Sequence, residues 1–339
     1  MSGPDASSGS PGLLPRLDSG AIRRARGAKA PVDPWRPIAV WDEEEVTAPG
    51  QTIVCRVVLL AGAECPFTCA MCDLWRHTLD RPTPPGALPA QIEAALGHAA
   101  GSAPGPVMAA PSWIKLYNAS NFTDPRAVPV ADRARIAALV DRFERVIVET
   151  HPRLVDDSLD DFARSIGGRL EVALGLETIH PDVLPWLNKQ MTPGDFAAAC
   201  RRLEAADIDT RAFVLLGLPG LTEGESVDAA IAAACFAAEA GCRQVSLIPT
   251  RPGNGSLDRL AADGSFTPVS AAAAEAALAG AIGAVPEACL VALDLWDWER
   301  LAGPCEACRG PRRARIEGMN RGRVILPAAA IDCGCRHGM

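Results

Sequence analysis

From residue 52 onward the chain alternates six times between a short apolar run of strand character and a longer Ala-rich run of helical period. The strand-like runs are 52–60, 112–118, 144–150, 169–177, 210–217 and 243–249. The helix-like runs between and after them are 89–100, 130–142, 156–166, 193–206, 223–241 and 269–285. Short continuous runs of Ile, Val and Leu suit strands buried on both faces, and their alternation with helices calls for a parallel sheet. Right-handed crossovers then curl that sheet. The alternation leaves two architectures open, a barrel and a doubly wound open sheet. Both place ligands at the carboxyl ends of the strands.

The loop after the first strand-like run carries Cys65, Cys69 and Cys72 at C-x3-C-x2-C spacing, in the text Glu-Cys-Pro-Phe-Thr-Cys-Ala-Met-Cys-Asp-Leu-Trp. Three thiolates on one loop suffice for three irons of a [4Fe–4S] cube, a cluster that ordinarily takes four cysteines. The fourth iron is then left open to a substrate or cofactor. The alternative is a structural zinc loop or three unrelated buried thiols, although zinc sites more often show paired C-x2-C knuckles.

On this spacing, with Met71 in the apolar slot before the last cysteine, the chain resembles the radical SAM superfamily. The resemblance implies a partial (βα)6 TIM-like barrel rather than a doubly wound sheet. It also implies a [4Fe–4S] cluster on Cys65, Cys69 and Cys72 whose open iron chelates S-adenosylmethionine (SAM). Reductive cleavage of SAM to a 5′-deoxyadenosyl radical follows, with a reductant such as flavodoxin or ferredoxin. The alternative function is a non-catalytic iron–sulfur electron-transfer or metal-binding protein. The Asp-Leu-Trp after Cys72, the run Tyr117-Asn-Ala-Ser-Asn-Phe122 and the ends of the later strands are similar to the Elp3/MiaB-like branch. By pattern they are closer still to the iron–sulfur subunit of archaeosine synthase. The likeness covers roughly residues 50–290 and makes tRNA or a nucleoside the substrate suggested by analogy.

The same resemblance assigns expected roles at the strand ends. Ser120 and Asn121 stand where the family binds the methionine amino group, in a sequence that departs from the usual Gly-Gly-Glu; a turn or helix cap is the other reading. Glu177 would lie near the SAM ribose or methionine portion, with Lys189 neutralising the SAM carboxylate. Gly217, Pro219 and Gly220 would let backbone approach adenine, since glycine has no Cβ. Trp75 would cover the cube or adenine. Glu149 and His151 point to the same mouth and are the candidate catalytic groups.

Near the C-terminus, Cys305-x2-Cys308 and Cys333-x-Cys335 form a second set of four soft ligands, with His337 beside it. Structural zinc and an auxiliary iron–sulfur cluster are both expected occupants. Arginines 309, 312, 313, 315, 321 and 323 lie between and around the pairs and are candidate phosphate contacts for a tRNA or nucleotide.

Three organisational units are expected: 1–50 as a partly disordered N-terminal tail, 51–290 as the barrel, and 291–339 as the Cys-rich extension. Hydrophobic residues make up 48% of the 339, enough for one large core. The formal charge of −8 excludes a global basic footprint for nucleic acid. No signal-like segment or membrane-spanning run is evident, so twelve cysteines point to a reducing cytoplasm and to metal binding rather than disulfides. Cys55, Cys200, Cys235, Cys242 and Cys289 lie in apolar or helical surroundings and are expected as core fillers.

Overall fold

The computed structural model describes residues 16–97, 109–328 and 333. Eight strands form one sheet in which spatial order follows chain order: β1 (Ala39–Ala48), β2 (Gln51–Leu59), β3 (Trp113–Tyr117), β4 (Arg145–Thr150), β5 (Arg169–Glu177), β6 (Asp209–Leu216), β7 (Gln244–Pro249) and β8 (Leu290–Leu293). β1 pairs antiparallel with β2, and every later neighbour pairs parallel. The order never reverses, so the sheet is a nearly closed barrel and not a doubly wound layer. The six expected β–α units are β2 to β7 with the helices Ala87–Leu96, Val130–Val140, Asp157–Ser165, Pro193–Ala205, Glu223–Glu239 and Ala271–Ala284.

Local sequence explains the helix starts. Thr192 and Thr222 each form a capping box, with Asp195 and Glu225 respectively, and Pro193 fills the first turn of its helix. The core lies between sheet and helices. Ile114, Leu116, Val146, Val148, Val172, Leu174, Ala212 and Val214 face it from the strands, and Ile92, Ile136, Leu159 and Phe196 face it from the helices.

The barrel interior has a charged floor. Lys115 of β3 holds Glu43 and Glu45 of β1. Arg211 of β6 bridges Glu45 at 2.8 Å and Glu171 of β5 at 2.6 Å, Arg145 of β4 joins Glu171 at 3.0 Å, and the Gln244 amide reaches Glu45 at 3.1 Å. Every one of these charges has an opposite partner, as groups removed from water require.

Regular elements lie within the expected tail and across the second expected unit boundary. Within 1–50, the described part carries the helix Ser19–Ala25, whose Ile22 is buried against the cysteine loop, and the whole of β1. Within β1, Glu43 and Glu45 point inward to Lys115 and Arg211. The boundary expected after residue 290 falls inside β8, so the barrel runs on to Leu293. Four residues are too short to show strand periodicity. The helix Glu306–Gly322 follows, and Cys335 and His337 lie outside the described residues. Among the described residues no helix is long and apolar enough to cross a membrane.

Candidate functional site

The loop that leaves β2 at its carboxyl end is pinched at its base. The Leu79 N–H donates to Gly62 O at 2.8 Å, and Ala63 N–H donates to the Thr83 hydroxyl at 2.9 Å. Beyond the pinch the loop is held by asparagines from three other strand ends. Asn121 after β3 donates to Cys65 Sγ at 3.2 Å; Asn188 after β5 donates to Thr68 O at 2.9 Å; Asn254 after β7 donates to Met71 O at 2.9 Å. Sequence reasoning missed the clamping role of Asn188 and Asn254. Their signal was backbone geometry: Asn188 adopts φ 50°, and Asn254 sits between Gly253 and Gly255, both at positive φ.

Cys69 is buried, and Cys65 and Cys72 are half-buried. Burial pushes the Cys69 and Cys72 thiols up to about 12 and also raises Cys65. The cation of Lys189 opposes the shift at Cys65 and Cys69. Lys189 itself is buried and donates to Glu177 Oε1 at 2.6 Å. Glu177 reaches that position through a bulge in β5 and a backbone φ of 65°. The pair fills space that a side chain at Gly175 would need: a Cβ there would lie 2.3 Å from Glu177 Oε1 and 2.4 Å from Lys189 Nζ. The charge expected to meet a SAM carboxylate therefore lies on Glu177 and beside two thiols.

His151 differs from its expected catalytic role. Its ring stacks on Phe67 of the cysteine loop, with centroids 3.7 Å apart. Nδ1 accepts from Arg153 N–H at 3.2 Å, so Nε2 carries the proton and donates to Lys189 O at 2.9 Å. Burial pushes its pKa down to about 3, with the Lys189 cation adding to the shift. A neutral imidazole with both nitrogens engaged is a strut between the cysteine loop and Lys189. The backbone N–H of His151 donates to Asn121 Oδ1 at 2.6 Å, which aims the Asn121 amide at Cys65.

Glu149 lies on the inward face of β4 at the level of Tyr117, whose ring meets that of Phe213 edge-on at 6.2 Å, and Phe213 pairs in register with Ser246 of β7. These inward positions are half-buried, while their outward neighbours Leu116, Val148, Val214 and Leu247 are fully buried. Glu149 Oε1 accepts from the Asn118 and Ala119 N–H groups at 2.9 and 3.1 Å, yet burial still raises its pKa to about 7. It can hold or release a proton near neutrality.

The remaining expected residues divide. Met71 and Trp75 lie on the cysteine loop, but Trp75 is buried with the guanidiniums of Arg26 and Arg76 at 5.0 and 5.5 Å from its ring centroid. Its ring is thus held inside the fold beside those two cations. The N–H groups of Gly217 and Leu218 both donate to Ser226 Oγ at 2.8 and 2.9 Å. The Cβ that Gly217 lacks would meet Val269 at 3.1 Å. The Gly217-Leu-Pro-Gly220 turn thus seats the next helix, and the side chain that Gly217 lacks leaves room for Val269. The arginines of the C-terminal helix region are held by the chain itself. Arg312 and Arg315 meet Glu275, Arg313 meets Glu317, Arg321 meets Glu44, and Arg309 and Arg323 donate to backbone carbonyls.

A cluster-and-nucleotide pair suits this donor set. Three soft thiols lie on one loop at the carboxyl end of the sheet, one already accepting an N–H. Next to them Ser120 Oγ and Asn118 Nδ2 are buried without a hydrogen-bond partner, which a polar ligand would satisfy. The second set is built differently. Cys305, Cys308 and Cys333 bring their sulfurs within 4.8 Å of one another.

The family model described as the radical SAM superfamily matches residues 60–231. Uncharacterized protein MJ0550 of Methanocaldococcus jannaschii is 25% identical over 149 residues, 42% of this chain and 41% of that protein. The match therefore spans about two fifths of the relative's length. The solved structure of methylornithine synthase superposes with a TM-score of 0.50 at 13% identity, covering 80% of this chain and 72% of that one. Elp3 of Methanocaldococcus infernus gives a TM-score of 0.46 at 16% identity over 73% of this chain and 57% of that one. At such identities the methylornithine synthase likeness is one of fold.

Proposed function

The chain belongs to the radical SAM superfamily, and from that premise we propose that Cys65, Cys69 and Cys72 hold a [4Fe–4S] cluster with one iron open to SAM. When bound, that pair supplies reductive cleavage of the sulfonium and a 5′-deoxyadenosyl radical, with an electron from a flavodoxin- or ferredoxin-type donor. The observation that carries the reading is the placement of three cysteines on one loop at the carboxyl end of a nearly closed barrel, with the Asn121 amide on Cys65 and the buried Lys189 cation acting on Cys65 and Cys69.

The chain's own residues have separable tasks. Asn121 donates to Cys65 Sγ, which favours the thiolate that metal binding requires. Glu177 fixes Lys189, whose charge favours the thiolates of Cys65 and Cys69. Ser120 Oγ and Asn118 Nδ2 offer hydrogen bonds to the methionine portion of SAM. Tyr117, Phe213 and Ser246 line the chamber beyond and limit water around the reacting centre. Glu149 holds a proton near neutrality on the wall of that chamber.

The substrate follows from the resemblance, which makes a nucleoside or tRNA the first class to assay. The C-terminal arginines already hold carboxylates and carbonyls of the chain, so the proposal assigns recognition to the barrel mouth rather than to that patch. The test is anaerobic reconstitution with iron and sulfide, followed by SAM and dithionite. Formation of 5′-deoxyadenosine is the expected result. An iron-loaded protein that leaves SAM intact would instead identify a non-catalytic iron–sulfur protein.

A further inference from the structure

The helix Glu306–Gly322 begins at a cysteine and ends by doubling back. Cys305 is its N-cap, and Cys308 lies one turn in and is fully buried. At the far end Arg323 adopts φ 48° and turns the chain. The segment that follows runs back along the same helix. Arg315 donates to Leu326 O at 2.6 Å and to Pro327 O at 2.9 Å, and a Cβ on Gly318 would lie 2.7 Å from Leu326 Cδ1. Beyond this strap, the sulfur of Cys333 lies within 4.8 Å of those of Cys305 and Cys308 at the helix start.

Cys305 Sγ and Cys308 Sγ are 3.7 Å apart. Sulfurs at about 2.3 Å from one tetrahedral zinc are separated by roughly 3.8 Å along each edge. Thiolates on a cubane sit on separate irons, one per corner, and stand farther apart than sulfurs sharing one ion. The separation also exceeds the roughly 2.05 Å of a disulfide bond, and a dithiol redox pair has no need of a third thiol. We infer that Cys305, Cys308 and Cys333 bind a single zinc ion, not a second cluster, and that this ion staples the element that closes the barrel. The thiol protons leave to solvent as the ion binds. No electron is exchanged, because zinc has no redox chemistry at such a site.

The closing role is visible in what the helix touches. The side-chain amide of Asn320 covers the open edge of β8: Oδ1 accepts from Leu293 N–H and Nδ2 donates to Leu293 O, each at 2.9 Å. One residue on, Arg321 pairs with Glu44 of β1, and its carbonyl accepts from Gly50 N–H at 2.7 Å. The helix therefore bridges the two edges that the sheet itself leaves unpaired. The segment between β8 and Cys305 carries Trp296, which packs on Trp41 of β1 at 5.2 Å. It also carries Asp297, which meets Arg251 at 2.8 Å, and Arg251 reaches Asp73 beside Cys72 at 3.6 Å. Fixing Cys305 thus fixes one end of a wall of the barrel mouth.

The experiment is metal analysis of the full chain, purified anaerobically and reconstituted with iron and sulfide. About one zinc per chain is expected in addition to the iron of one cluster. The Cys305→Ser and Cys308→Ser variants should lose the zinc and keep the iron–sulfide absorbance, while Cys69→Ser should do the reverse. Wild-type protein grown with cobalt in place of zinc should show the intense visible bands of tetrahedral cobalt thiolate, which needs no variant to fold. Iron lost from Cys305→Ser, an absence of both zinc and cobalt bands, or a reducible Cys305–Cys308 disulfide would each overturn the inference. The zinc and cobalt readouts do not depend on SAM cleavage, so this proposal and the one above fail separately.

Discussion

The two cysteine sets use the same ligand and solve opposite problems. Cys65, Cys69 and Cys72 hang from a loop at the carboxyl end of β2 and depend on asparagines from three other strand ends for their shape. A buried lysine and orphaned hydroxyl and amide groups lie beside them. Cys305 and Cys308 sit at the start of one helix, and Cys333 brings its sulfur close enough to theirs to share one ion. The first set is supported from outside and left incomplete within, which is what a reactive centre needs. The second is compact, with sulfurs close enough to share one ion, which suits a staple. The difference teaches that ligand type alone does not separate a catalytic from a structural site; the surroundings do.

Removing each set should therefore have different consequences. Cys69→Ala should reduce 5′-deoxyadenosine formation to background while leaving zinc content unchanged, measured by product chromatography and metal analysis. Cys308→Ala should instead lower the melting temperature, on the order of 5 °C or more, by releasing the barrel-closing helix. A larger thermal loss in Cys69→Ala than in Cys308→Ala, both compared without iron, would erase the contrast.

Within the first set, Lys189→Met leaves the Glu177 carboxylate buried without its cation and should destabilise the fold by about 3–5 kcal/mol in denaturant titration. Adding Glu177→Gln should restore part of that loss, because a neutral amide replaces the stranded charge. Gly175→Ala tests the same pair from the backbone side. The new Cβ must displace Lys189 Nζ or Glu177 Oε1, at about 1–3 kcal/mol.

Glu149 offers a pH test. Burial raises its folded pKa from the usual 4.5 to about 7, so the folded state binds this proton more tightly than the unfolded chain. That contribution to stability is complete below the unfolded value and is lost as pH rises through the folded one. Glu149→Gln should remove this fall between about pH 4.5 and 7, read by comparing denaturation midpoints at pH 5 and 8. His151→Phe should have the smallest effect. It keeps the stacking on Phe67 but drops the bonds to Lys189 O and Arg153 N–H, at about 1–2 kcal/mol. The pH profile of SAM cleavage should not move, since His151 is neutral over the working range.

Six of the eight strands were legible because their apolar runs obey the pattern of strands buried on both faces. β1 was not, because its carboxylates Glu43 and Glu45 point into the barrel, where Lys115 and Arg211 neutralise them. Such a strand shows no apolar run, because its inward charges are neutralised by partners from distant strands. The cysteine loop was legible from spacing, since three ligands on one loop carry their own geometry. His151 was not: its sequence neighbourhood is that of a strand end facing the mouth, and only the Phe67 ring and the Lys189 carbonyl reveal it as a strut. The C-terminal arginines read as a phosphate patch because sequence shows their clustering but not Glu275 and Glu44, which come from a preceding helix and from β1.

The central claim is that three thiols leave one iron exposed to the sulfonium nucleotide. It is tested most directly by electron paramagnetic resonance of the reconstituted, reduced protein with and without SAM. The account predicts a cluster signal whose g-values shift when SAM is added and which is absent from Cys69→Ala. A signal indifferent to SAM would show that no vertex is open, and the claim would fall.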